Sequence, residues 1–138
     1  MSTKTIVIND FPPIQDIAYE LERTRKVLTD LLSKRFRSET NTNTLDYAMD
    51  ALDGYCYVPL NQRLWLGRYA RYLSLENPKE IKLRLGGFVV GDNGYTVSLK
   101  QTDDKFVRVK KNSNHVFFMT IIEDDVTRIQ MNNALNQM

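Results

Sequence analysis

A chain of 138 residues with a formal net charge of +2 is long enough for one compact core and too short for two ordinary domains. No apolar run approaches the ~20 residues that span a bilayer, and a single cysteine, Cys56, excludes an internal disulfide and a cysteine-rich zinc site. The opening stretch MSTKTIVINDFPP has neither the apolar core nor the small-residue cleavage site of a secretory signal, so the expectation is an intracellular, reducing compartment, with no membrane partner.

The predicted elements begin with a strand at Thr5–Ile8. Asn9-Asp10 before Pro12-Pro13 reads as a helix start, and a helix is expected over about 13–37. Ile17, Leu21, Leu28 and Leu31 form its apolar stripe, a candidate interface for a partner helix or for the sheet. Thr24 and Arg35 interrupt that stripe, so a long coiled coil is not expected. SETNTNT, 38–44, reads as a polar connector, and a short helix over about 45–52 follows, capped by Thr44 and ended by Gly54. YCYVPL then runs extended, with Pro59 arguing against a central strand.

From Leu64 the hydrophobic period changes to two. Strands are expected at Leu64–Leu75 with a bend at Gly67, Ile81–Val90, Tyr95–Gln101, Lys105–Lys111 and His115–Ile122, joined by the turns GDNG, TDD and NSN. Gly86-Gly87 is the clearest position for a kink. Alternation puts Leu83, Leu85, Tyr95, Val97, Leu99, Val107 and Val109 inside and Lys82, Arg84, Lys100, Arg108 and Lys110 outside. The acids Glu123-Asp124-Asp125 open a predicted C-terminal helix over 123–138. The expected class is α+β: an N-terminal helical region, 1–60, a five-stranded antiparallel barrel, 61–122, and the C-terminal helix.

Charge follows this division. Residues 61–122 hold 11 Lys+Arg against 5 Asp+Glu, a balance of +6, whereas 1–60 and 123–138 each carry −2. The outward Lys82, Arg84, Lys100, Arg108 and Lys110 are a candidate basic binding face for phosphates or acidic proteins; a merely solubilising face is the plainer reading. Tyr69, Tyr72 and Phe106 are candidate aromatic contacts, by stacking on bases. Tyr72, Phe88, Tyr95 and Phe106 could alternatively cage a methylated cation or simply pack across strands.

Catalytic signals are missing. His115 is the only histidine, which removes a His-pair metal site, and it reads as a hydrogen-bonded residue at a turn. Cys56, between two tyrosines, reads as buried rather than nucleophilic. LGGFVVGDNG lacks the spacing and following helix of a dinucleotide fingerprint. The expectation is a protein with no enzyme activity, no metal and no cofactor.

The succession LGRYARYL, IKLRLGGFVV, YTVSLKQ, KFVRVKK, HVFFM resembles SH3-like and Tudor-like small barrels. It is also similar to small barrel-bearing proteins of large double-stranded DNA viruses, across roughly the second half of the chain. The resemblance implies a structural or assembly protein of a virion, binding other proteins, itself or other virion subunits through the barrel and the first helix. The alternative is a nucleic-acid-binding module using the basic face. The helical first half has no counterpart in the isolated barrels.

Overall fold

The computed structural model describes residues 9–35, 40–77 and 81–121. They form a mixed α+β protein, mostly antiparallel sheet with two helices, divided into two compact units. The helix unit takes Pro12–Tyr57 with 120–121, and the strand unit takes 9–11 with Val58–Met119. The strand expected at Thr5–Ile8 and the C-terminal helix expected at 123–138 lie outside the described residues.

In the helix unit, α1 spans Ile17–Arg35 and α2 spans Thr40–Ala51. The first helix starts four residues after Pro13, because Asp16 supplies the cap: its Oδ1 accepts from the Tyr19 N–H at 3.2 Å, satisfying a donor that would otherwise be orphaned. The expected connector SETNTNT is partly helical, since α2 begins at Thr40 rather than after Thr44. The two helices pack on each other, with Leu28, Leu32, Ala48 and Leu52 buried.

Thr24, the polar break in the α1 stripe, is a connection. Its hydroxyl lies 3.0 Å from the Glu20 carbonyl and 3.1 Å from the Tyr55 carbonyl, and accepts from the Tyr57 N–H at 3.0 Å. Tyr55 and Tyr57 belong to β2, Tyr55–Val58, so one buried hydroxyl ties the extended segment to the helix. The Arg23 guanidinium stacks over the Tyr57 ring at 5.2 Å, covering the same segment.

The strand unit opens with β1, Asn9–Asp10, paired in parallel with β3, Gln62–Arg63. Phe11 packs edge-on against Trp65, whose indole donates to the Phe11 carbonyl at 2.7 Å. The long strands are β4 (Tyr69–Ser74), β5 (Lys82–Asp92), β6 (Thr96–Thr102), β7 (Lys105–Lys110) and β8 (His115–Thr120). They lie in the order β8-β4-β5-β6-β7, each pair antiparallel.

That order forces curvature. Laid flat, β7 and β8 would be four strand spacings apart, about 19 Å at ~4.8 Å each. The chain joins them through Lys111–Asn114 as a folded turn, in which the His115 N–H donates to the Asn112 carbonyl at 3.1 Å and the Asn114 N–H to Asn112 Oδ1 at 2.9 Å. Such a turn cannot bridge that width, so the sheet curls until the Lys110 carbonyl lies 2.7 Å from His115 Nδ1. The sheet nonetheless stays open. Among the described residues β7 is laddered only to β6, and its exposed Lys105, Arg108 and Lys110 are the kind of charges that protect an edge strand.

Register shifts in β5 supply the bend, between Ala70 and Tyr72 on one side and between Val89 and Gly91 on the other. Gly86 sits at φ +70°, where a Cβ would run into the Ala70 carbonyl; only glycine fits there. The irregularity also corrects two expected core positions. Leu85, next to Gly86, is turned out and 71% exposed. Tyr95 is 70% exposed because β6 starts one residue later, with Asn93 Oδ1 accepting from both the Tyr95 and Thr96 N–H groups at 2.8 Å. The core of the unit is Leu73, Val89, Val97, Leu99, Val109, Phe117 and Met119, all buried.

Candidate functional site

Where the curled sheet fails to close, the strand unit has a recess of about 320 Å³. Tyr72 and Ser74 of β4, Arg84 of β5, Arg108, Val109 and Lys110 of β7, Glu76, and His115 of β8 line it. Three of the five expected basic residues, Arg84, Arg108 and Lys110, thus meet at one place, together with Tyr72. All three cations are exposed, and among the described residues none of them forms an ion pair with a carboxylate.

His115 is held inside this recess. Nδ1 faces the Lys110 carbonyl at 2.7 Å and Nε2 faces Glu76 Oε1 at 3.0 Å. Two contacts, one at each ring nitrogen, thus fix the orientation of the imidazole. The Tyr72 ring meets it edge-on at 5.6 Å. Burial pushes the Tyr72 phenol above its ordinary value, against the lowering effect of Arg84, while Glu76 adds a smaller upward push. Tyr72 therefore keeps its proton and remains a hydrogen-bond donor.

A second feature lies across the strands. The register sets Tyr69 opposite Phe88, Phe88 opposite Lys100, and Lys100 opposite Phe106. Phe88 is 51% and Phe106 57% exposed, and Tyr69 meets Phe88 edge-on at 5.1 Å while its hydroxyl donates to the Leu85 carbonyl. This row of aromatic, aromatic, cation and aromatic crosses β4 to β7. Phe106, Arg108 and Lys110 alternate along β7 and so share one face, which links the row to the recess.

The other expected site residues are elsewhere. Lys82 pairs opposite Ser74 outside the recess lining, and Lys100 lies 3.5 Å from Asp103 in an exposed pair. On α1, Leu28 is buried while Ile17, Leu21 and Leu31 are half-buried. Leu21 and Leu28 border a hollow of about 560 Å³ between the two helices, with Thr24, Arg25, Met49 and Asp50. Among the described residues no three His, Cys, Asp or Glu side chains gather as a metal site, and no helix is long and apolar enough to cross a membrane. Cys56 is fully buried.

Sequence reasoning missed Glu76 and the inward position of His115. The signal for His115 was its parity with Phe117 in HVFFM; Glu76, two residues past β4, had none. No protein-family model, curated protein or solved structure matches the chain.

Proposed function

We propose that the chain is a non-enzymatic binding module for single-stranded nucleic acid, using the outward face of β4 to β7. The observation that carries this reading is the row Tyr69, Phe88, Lys100 and Phe106, in which Phe88 and Phe106 are exposed, beside Arg84, Arg108 and Lys110. Every base has a π-face, so exposed rings bind strands without reading sequence, while cations alongside hold the phosphates. The row is about 14 Å wide at three strand spacings, room for two or three bases. We read the sheet as an incompletely closed SH3-like barrel, supported by the return of β8 beside β4. From the sequence resemblance we carry over the proposal that the module works in virion assembly.

Protein docking is the second reading, favoured by Leu66, Leu85 and Val90, each close to half exposed or more. An oligomer or complex with other virion subunits would cover them. Fluorescence anisotropy with labelled single-stranded and duplex oligonucleotides at physiological salt separates the two. Saturable binding that prefers the single strand supports the first reading; absence of binding by a folded protein leaves protein docking.

A further inference from the structure

We infer that the recess between β7 and β8 is a binding site for a phosphate monoester, the terminal phosphate of a strand lying on the aromatic row. The source of the phosphate rests on the single-strand reading; the anion site itself does not. Among the described residues lining the recess, Arg84, Arg108 and Lys110 face one carboxylate, that of Glu76, a balance of two positive charges. A phosphate monoester carries a charge of about −1.5 to −2 at neutral pH, against −1 for each internal diester. The balance matches the monoester.

Shape points the same way. The cations stand exposed at the rim, whereas His115 is 9% exposed at the floor, pinned by Glu76 and the Lys110 carbonyl. The recess, of about 320 Å³, has room for a terminal phosphate group. Hydroxyl donors are also present in Tyr72 and Ser74. Among the described residues of the lining, Glu76 is the one carboxylate that opposes an anion, and its side chain is 65% exposed, so it repels a ligand through well-screened surroundings. Arginine supplies paired N–H donors suited to phosphate oxygens.

The chain's single histidine makes the test direct. Inorganic phosphate is titrated into the full chain while the His115 ring protons are followed by NMR, with sodium chloride matched for ionic strength. A saturable shift is expected with phosphate and none with chloride, and it should vanish in Arg84→Gln and Arg108→Gln, both exposed positions that leave the core alone. Oligonucleotides ending in a 5′-phosphate, a 3′-phosphate or hydroxyls only are then compared. One of the phosphorylated ends should bind about tenfold tighter, from a charge-assisted contact of roughly 1.4 kcal/mol, and Arg84→Gln should erase that advantage. Lys82→Gln should weaken all three alike. Phosphate saturation with no oligonucleotide bound upholds the anion site and overturns the single-strand reading. A His115 response equal to that of chloride, with no gain from either terminal phosphate, overturns the site.

Discussion

Lys111 Nζ lies 2.8 Å from Asp92 Oδ2, with both side chains 1% exposed. The same ammonium donates to the Gln62 carbonyl at 2.8 Å, and the Asp92 carboxylate accepts from the Leu64 N–H at 3.0 Å and the Gly94 N–H at 2.9 Å. This pair therefore fastens β3 and the segment after it to the β5–β6 turn and to the end of β7. A buried pair gains its value from such completed hydrogen bonding, because each ion alone pays a desolvation penalty of several kcal/mol. Lys111→Met or Asp92→Asn should each destabilise the protein by about 3–5 kcal/mol, by leaving a buried partner unmatched. The double variant Asp92→Asn with Lys111→Met should cost less than the sum. Urea unfolding of the three variants checks this, and additive losses would argue against a coupled pair.

Gly86 should tolerate no side chain. Gly86→Ala puts a Cβ against the Ala70 carbonyl and holds alanine at φ +70°; left-handed backbone costs roughly 1–2 kcal/mol and overpacking roughly 1–3. A loss of at least ~2 kcal/mol is expected in denaturant unfolding. Gly54, also at positive φ but with open space around it, should lose only the backbone part.

Glu20 should oppose stability at neutral pH. Burial raises its pKa above the ordinary 4.5, Arg23 pulls it back and Asp16 adds a smaller upward push, and its Oε2 has no hydrogen-bond partner among the described residues. A carboxyl raised on folding favours the protonated folded state, so its contribution is fully present below the unfolded pKa and is lost as pH rises through the folded one. Acidification from pH 7 toward 4.5 should lessen the penalty at this position. Glu20→Gln should gain roughly 1 kcal/mol at pH 7, as for relief of a poorly satisfied buried group, and little near pH 4. Thermal unfolding across that range compares the two proteins.

These residues also mark how much was legible beforehand. The strands after Ile81 followed from period-two alternation because one face of each is buried, whereas the strand expected from Leu64 begins only at Tyr69, after the turn at Gly67; Gly86-Gly87 stood out as a kink because glycine pairs weaken a strand for no other local gain. The basic face was readable for the same reason, in the polar positions of KLR and VRVKK. Two things escaped. Parity turns Lys111 inward after Val107 and Val109, yet its partner Asp92 lay in a turn and looked like turn chemistry. The gathering of Arg84, Arg108 and Lys110 around His115 depends on curvature, which a one-dimensional pattern does not contain. Helix α1 began later than proline suggested because the Asp16 cap outweighs a proline signal, and α2 began earlier than the polar run 38–44 suggested.

The most direct test of the proposed function separates rings from charges in one series. Single-strand affinity is measured at several salt concentrations for the parent protein, Phe88→Ala with Phe106→Ala, and Arg108→Gln with Lys110→Gln. With about four phosphate contacts the parent slope of log affinity against log salt should be near −2.8, at roughly −0.7 per contact on single strands. Removing the two rings should weaken binding by about 1–3 kcal/mol per stacked base with the slope unchanged, and removing the two cations should flatten the slope by about 1.4. If ring removal leaves affinity intact while the protein stays folded, or if the slope ignores Arg108 and Lys110, this face does not hold a nucleic-acid strand.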